Sequence, residues 1–320
     1  MRRYLDQKLK LHLLRVIDAL DAHGSLLKAS TALGVSQPAL TRSLKDLEEL
    51  VGTRLFERHS RGVRPTEAGV VLLRSGRRIL AELRRTEEEL DLFTDSFGGV
   101  AAIGALPTAA AGLAPAVLLK LKMETPAFRV RLEEGRTEDL LPLLAAGQLD
   151  LIIGRFYEAS PSDIFLRQEL WSDPMAIVAR ADHPLFGGKE LDLTKLGDFE
   201  LVLPVAPVRV AAEIESILDT LGLEASSAML STSYNFTREI LLSSDAFTIV
   251  PPMVLLGDLN RGALAMRAIP FEYPLRPAGV ITVRDRNLNG AANAFIGCLK
   301  DNIKSIVASG LATIGAELSP

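Results

Sequence analysis

Apolar residues recur every three or four positions at Leu13, Val16, Ile17 and Leu20, and Gly24-Ser25 then breaks the recurrence, which predicts a helix ending near His23. A second short helix follows Ser25, with Leu26, Ala29, Ala32 and Leu33 on it and Gly34 placed for a left-handed stop. Ser36 is a good N-cap and Pro38 is tolerated in a first turn, and Leu40, Leu44, Leu47 and Val51 form the stripe of a third helix closed by Gly52. Two helices joined by a tight turn make a helix-turn-helix pattern. Leu55-Phe56 then starts a strand, and Glu57 to Pro65 reads as a two-stranded wing whose turn is studded with Arg58, Arg61 and Arg64. A new helix opens with Thr66 as N-cap and Glu67 near its positive end. It is expected to run to about Phe93, roughly 42 Å at 1.5 Å per residue. Leu73, Gly76, Leu80, Leu83, Glu87 and Leu90 form a heptad-like seam on it, while Arg84/Glu88 and Arg85/Glu89 lace the exposed side. The seam is expected to meet a partner helix, the alternative being a core helix of the C-terminal region.

Beyond Gly98 apolar strands alternate with helices. Strands are expected at Val100 to Ala105, Phe128 to Glu133 and Leu149 to Gly154, with helices running to Met123 and Ala146 between them. A second set follows at Ala176-Val178, Leu201-Leu203 and Phe247-Val250, and a final strand at Val280 to Val283 precedes a last helix from about Asn289. This is an α/β pattern with a mostly parallel sheet.

The chain has 320 residues, more than one ordinary core supports, so two or three domains are expected. Its single cysteine, Cys298, excludes an intrachain disulfide framework and a cysteine-based zinc cluster, and suits a reducing cytoplasm. No segment reads as a signal peptide or a membrane span. The net charge of −4 hides an asymmetry: residues 1–66 hold twelve basic and seven acidic side chains, a surplus of five, so the remainder carries −9. A basic nucleic-acid module joined to an acidic sensor would be divided in this way.

The third helix carries chemistry opposite its apolar stripe. Gln37, Thr41 and Lys45 are spaced i, i+4, i+8, with Pro38 and Arg42 beside them. Glutamine pairs bidentately with adenine and arginine with guanine, while threonine offers a hydroxyl and a methyl, so this face can read a major groove. Read alone, it could equally be a solvated helix face. An arginine at the wing tip can enter the narrow, electronegative minor groove alongside.

The run Lys28-Ala29-Ser30 to Leu33, Val35-Ser36-Gln37-Pro38-Ala39-Leu40-Thr41-Arg42-Ser43-Leu44, Leu55-Phe56-Glu57-Arg58 and Pro65-Thr66-Glu67-Ala68-Gly69 closely resembles the DNA-binding signature of LysR-type transcriptional regulators. Ser30 stands where that family usually has a second alanine, and about eight extra residues precede the first helix. The resemblance implies a winged helix-turn-helix DNA-binding domain over residues 1–65 and a linker and dimerisation helix over 66–95. It implies an effector-binding domain over 98–320, of two periplasmic-binding-protein-like subdomains, 98–167 with 270–320 and 168–269. Ser36, Gln37, Pro38, Thr41, Arg42, Lys45, Arg58, Arg61 and Arg64 would contact double-stranded DNA, with Arg61 in the minor groove. A homodimer through the linker helix and a homotetramer follow as expectations. The texture of Ile17-Asp18-Ala19-Leu20 and Leu27-Lys28-Ala29-Ser30 looks closest to regulators of sugar or aromatic-acid uptake and catabolism.

Ligands of open α/β sheets bind beyond the carboxyl ends of strands, near helix N-termini. Three loops qualify: Pro107-Thr108, the segment Pro204 to Arg209 with Val205, Ala206 and Val208, and Ser231-Thr232-Ser233 with Asn235. By the resemblance, Thr108 matches the hydroxyl residue that holds an effector. Arg209 and the serine and threonine hydroxyls can bind a carboxylate. The plain alternatives are a helix cap for Thr108, a surface ion pair for Arg209 and a solvated loop for Arg136. The expected effector is a small anionic metabolite. His12, His23, His59 and His183 are scattered, and neither metal-ligand spacing, a phosphate loop nor a nucleophile elbow occurs, so an enzyme, a metal and a cofactor are not expected. An enzyme or a cytoplasmic ligand-binding protein fused to a DNA module is the competing reading.

Overall fold

The computed structural model describes residues 8–59, 62–94, 100–156, 164–172, 174–188, 191–206, 208–284 and 286–314. They fall into two units, one N-terminal, with which residues 141–149 also group, and one that otherwise begins at Val100.

In the N-terminal unit α1 (Leu11–His23), α2 (Leu26–Leu33) and α3 (Gln37–Val51) are followed by β1 (Phe56–His59), β2 (Gly62–Pro65) and α4 (Glu67–Thr94). Each of the first three helices stops at a left-handed glycine, Gly24 (φ 59°), Gly34 (φ 66°) and Gly52 (φ 78°), a conformation that penalises any side chain with a Cβ. Leu14, Ile17, Leu20, Leu40, Leu47 and Leu55 are fully enclosed at its centre. Ser30, the departure from the family signature, is buried there too, and its hydroxyl donates to the Leu27 carbonyl at 2.8 Å, which removes the cost of burying it.

The first half of the expected seam on α4 faces its own chain's core instead. Leu73 and Leu80 belong to the same core, and a Cβ on Gly76 would lie 3.1 Å from Cδ2 of Leu14. Three of the six seam positions are therefore consumed by α1 of their own chain. A heptad pattern fixes which face of a helix is apolar, and says nothing of whose helix covers it. The apolar residues that α4 leaves exposed include Val70, Val71, Ile79 and Leu90.

The C-terminal unit runs β3 (Val100–Ala105), a π-helical turn at Ala109–Leu113, α5 (Ala114–Glu124), β4 (Arg129–Glu134), α6 (Thr137–Ala145), β5 (Leu151–Arg155), β6 (Phe165–Ser172) and β7 (Ala176–Arg180). It continues with β8 (Leu201–Pro204), α7 (Val208–Leu221), β9 (Met229–Ser231), α8 (Tyr234–Ser243), β10 (Phe247–Val250), α9 (Leu256–Asn260), β11 (Leu264–Ala268), β12 (Pro277–Val283), α10 (Gly290–Ala308) and β13 (Thr313–Ile314). The strands form one sheet ordered β13-β6-β12-β5-β3-β4 and another ordered β11-β7-β10-β8-β9. Both are mixed rather than mostly parallel. The βαβ pairs β3/β4, β3/β5, β10/β8 and β8/β9 are parallel, whereas β12, β6, β13, β7 and β11 join antiparallel. Because β6 pairs along its length with β12, from Pro277↔Ser172 to Val283↔Phe165, residues 168–172 lie in the first sheet, and the crossover follows Ser172 rather than residue 167. The chain returns between Ala268 and Pro277, near the expected second crossover.

Candidate nucleic-acid interface and ligand loops

Ser36 is extended (φ −73°, ψ 147°) and its hydroxyl accepts the Ala39 N–H at 3.4 Å, so its side chain caps α3. Leu40, Leu44, Leu47 and Val51 are buried beneath this helix. Its other face presents Gln37, Pro38, Thr41, Arg42 and Lys45 around one open hollow, which Asp46 and Glu49 also border. Lys45 lies 3.5 Å from Glu49, and both are mostly exposed, so the pair is weak and easily surrendered to a phosphate. Asp46 and Glu49, four residues beyond Arg42 and Lys45 respectively, were legible from spacing alone as neighbours on this face.

The wing pairs from Phe56↔Pro65 to His59↔Gly62. Arg64 is exposed on it. Arg61 and the side chain of Arg58 lie outside the described residues. Val63 donates its N–H to the Gly24 carbonyl at 2.8 Å. Gly62 has φ 130°, and a Cβ there would sit 2.3 Å from the Gly24 oxygen, so only glycine lets the wing dock on the end of α1. Glu48 holds the strand entrance: its Oε1 accepts the N–H groups of Leu55 (2.7 Å) and Phe56 (3.3 Å). Arg77 on α4 donates to Asp18 and Asp21 on α1, each at 2.7 Å, and although burial opposes its charge these bonds outweigh that effect and raise its pKa. Glu48, Gly62 and Arg77 hold α3, the wing and α4 in place without entering the hollow on α3. The Asp18/Asp21 spacing is the only local trace of the last, since Arg77 lies in another helix.

In the C-terminal unit the candidate loops gather as two pairs. Pro107-Thr108 follows β3 and Arg136 follows β4, and the parallel pairing of these strands, continued by Gly135 N–H to Ala105 O at 3.2 Å, brings them to one sheet end. Thr108 is helical (φ −61°, ψ −42°) and its side chain makes no cap hydrogen bond, which removes the helix-cap reading. Arg136 is exposed, and its carbonyl receives the Asp139 and Leu140 N–H groups at the start of α6. The second pair is joined by β8 and β9, where Pro204 faces Ser231 and Val205 donates to the Ser231 carbonyl at 2.8 Å. Val205 and Val208 are exposed and Ala206 half-buried, while the side chain of Arg209 lies outside the described residues.

The Ser231 and Ser233 hydroxyls are committed to local turns. Ser231 Oγ accepts the Ser233 N–H at 3.0 Å, and Ser233 Oγ caps α8 by accepting from Phe236 at 3.3 Å. Thr232 and Asn235 are exposed. The thiol of Cys298 lies 3.6 Å from the Val117 carbonyl, and burial pushes its pKa up. Among the described residues no group of three or more His, Cys, Asp or Glu side chains could hold a metal, and no helix is long and apolar enough to cross a membrane.

Two family models match the chain: "Bacterial regulatory helix-turn-helix protein, lysR family" over residues 11–70 and "LysR substrate binding domain" over residues 94–304. The HTH-type transcriptional regulator PcaQ of Agrobacterium fabrum is 29% identical over 281 residues, covering 88% of this chain and 90% of that protein. GbpR of Azospirillum brasilense, also an HTH-type transcriptional regulator, is 27% identical over 299 residues, 93% of this chain and 87% of that protein. The structure of a full-length OxyR variant from Pseudomonas aeruginosa has the same fold, with a TM-score of 0.64 at 22% identity over 98% of this chain and 100% of that one. These matches, which cover the capped third helix, the docked wing and most of the α/β unit, show that the chain belongs to the LysR family of DNA-binding transcriptional regulators, with a domain for a small-molecule effector.

Proposed function

We propose that the α3 face reads operator bases directly, through Gln37, Thr41 and Arg42, while Arg61 enters the minor groove and Lys45, Arg58 and Arg64 neutralise phosphates. The observation that carries this reading is that Gln37 and Arg42 are exposed and Thr41 is half-buried beside them, around one open hollow on a helix whose opposite stripe is buried, so the face is presented without cost to the core. The test begins with genomic fragments retained by the purified protein. On the operator so found, Arg42→Ala should lose about 1–3 kcal/mol and relax preference at one base pair, with little change on random DNA. Equal losses on both would remove direct readout.

The protein is further proposed to act in the cytoplasm as a homodimer joined through α4, and as a tetramer, without catalytic turnover. Support for the α4 contact comes from Val71 and Ile79, which α4 leaves exposed. The effector is proposed to be a small anion held by Pro107-Thr108 and the loops following β8 and β9, where helix N-termini offer N–H groups and a positive dipole end. An intrachain disulfide response is closed to a chain whose only cysteine is Cys298. Thr108→Val keeps the side-chain volume and removes the hydroxyl, so calorimetric titration with the true effector should show weaker binding. Unaltered affinity would exclude Thr108 from the site.

A further inference from the structure

Beside the crossover between the two lobes lies a cavity of about 320 Å³ whose lining, among the described residues, includes none of the ligand loops above. Arg155 ends β5 and Arg276 immediately precedes β12, and these antiparallel neighbours, with Ala278 opposite Arg155, bring both guanidinium groups to one edge. From the other lobe, α7 contributes Ala212, Glu213, Ser216 and Ile217, positions of one helix face. Glu213 Oε1 accepts a hydrogen bond from Arg276 Nε, and Oε2 lies 4.0 Å from Arg155 Nη1. The Arg155 and Glu213 side chains are only 15% and 17% exposed. The Tyr273 hydroxyl donates to the Met175 carbonyl at 2.8 Å, tying the returning crossover to the outgoing one at the cavity wall.

Two guanidinium groups from one lobe thus meet a carboxylate from the other, next to space with apolar walls at Met175, Ile217 and Leu275. The planar fork of arginine matches any carboxylate, so a carboxylate delivered by a ligand can make the same bonds as Glu213, with contacts to the apolar walls offsetting the advantage of a tethered group. The volume lies at the small end of ligand sites, roughly 300–1,000 Å³. We propose that this cavity is a second ligand site, which takes a small carboxylic acid with an apolar body, its carboxylate replacing Glu213 on Arg155 and Arg276. Exchange releases α7 from the crossover strands, and the acid therefore favours a different lobe angle to the extent that its affinities for the two arrangements differ.

The experiment is calorimetric titration of the full-length protein with cyclohexanecarboxylate, and with cyclohexanecarboxamide as the neutral control. The acid should bind saturably, with a dissociation constant of about 1 mM or tighter, and the amide should not. Glu213→Gln removes the competing charge at constant shape and should tighten acid binding about tenfold, whereas Arg276→Met should weaken it by a similar factor. If melting and Trp171 emission show that Arg276→Met does not fold, Arg276→Lys, which keeps the charge and loses the fork, should show the same weakening. Equal binding of acid and amide would overturn the proposal, as would no acid binding in either the parent or Glu213→Gln. Acid binding lost in Thr108→Val but kept in the Arg276 variant would assign the acid to the β3 loop and overturn it as well. Failure of the loops as an effector site leaves these outcomes unchanged, because Thr108 does not line this cavity.

Discussion

Gly69 and Gly297 both lie in helices, and a methyl group added to each meets opposite surroundings. On helix propensity alone, either change to alanine should stabilise by about 0.5–1 kcal/mol. At Gly297, exposed in α10, nothing lies within 4 Å of the new Cβ, so that gain should be realised in full. At Gly69 the Cβ would stand 2.1 Å from the Leu55 carbonyl oxygen and 3.2 Å from the Pro65 Cβ. The oxygen is backbone, and it already accepts the Thr66 N–H at 2.9 Å, while Thr66 Oγ1 caps α4 by accepting from Gly69 at 3.1 Å and donates to the Arg54 carbonyl at 2.8 Å. Relieving the overlap needs a separation of about 1 Å, which costs roughly 1–3 kcal/mol of overpacking and strains a hydrogen bond worth about 0.5–1.5 kcal/mol. The penalty wins, and Gly69→Ala should destabilise by about 1–3 kcal/mol. The assay is urea unfolding followed by far-UV circular dichroism and by tryptophan emission, which reports the C-terminal unit alone because Trp171 is the only tryptophan. Gly69→Ala should lower the dichroism midpoint of the N-terminal unit and leave the emission midpoint in place, and Gly297→Ala should raise the latter. A Gly69→Ala protein as stable as the parent, or more so, would refute the close approach of α4 to Leu55.

Leu80→Asp places an unpaired carboxylate in the core formed with α1, at a cost of several kcal/mol, and should unfold the N-terminal unit; a folded monomer in sedimentation would instead return Leu80 to an intermolecular seam. Asp258, whose side chain is only 6% exposed, hydrogen-bonds Arg238 at 2.7 and 2.9 Å and Arg261 at 2.8 Å. The Arg238 bond chiefly lowers its pKa, against an opposing contribution from burial. A depressed carboxylate contributes stability in full above its unfolded pKa of about 3.9 and loses it as pH falls through the lower folded value. Arg238→Met should therefore cost stability at pH 7 and flatten the decline below about pH 4, and an acid limb identical to the parent's would remove Asp258 as a contributor.

The reading helix was legible in the sequence because its determinants are local: a cap at Ser36, a stripe at every third or fourth residue, and a glycine at the end. The same locality explains what could not be read. Phe165–Ser172 carries Arg167, Gln168 and Glu169 between its apolar residues, and its partner β12 lies more than a hundred positions later, so nothing nearby marks it as a strand of the first sheet. The hydroxyls of Ser231 and Ser233 have the chemistry a carboxylate wants, yet the backbone N–H groups beside them take it first. The Arg155, Glu213 and Arg276 cluster is assembled from three segments, none of which has a pattern of its own.

The two lobes are joined by contacts of different kinds, and that difference constrains how a ligand can act. Near the π-helical turn, a Cβ on Gly112 would stand 1.6 Å from the Met253 carbonyl oxygen, and Met253 and Leu256 are enclosed in one core with Ala109, Leu113 and Ala114. Met253 is 1% exposed, and withdrawing such a side chain to water costs roughly 1.5–3 kcal/mol before any cavity is counted. At the crossover the joint is ionic, and replacing the Glu213 carboxylate by another leaves the same number of charge-assisted bonds. A rearrangement that keeps Met253 seated and exchanges Glu213 for a ligand carboxylate is therefore cheaper than the reverse, whereas breaking the Glu213 pairing with nothing in its place is not. On the proposed second site, the lobes would turn about the packed contact at Gly112 and Met253 with Glu213 as the latch, so a carboxylate of modest affinity suffices to shift the balance there.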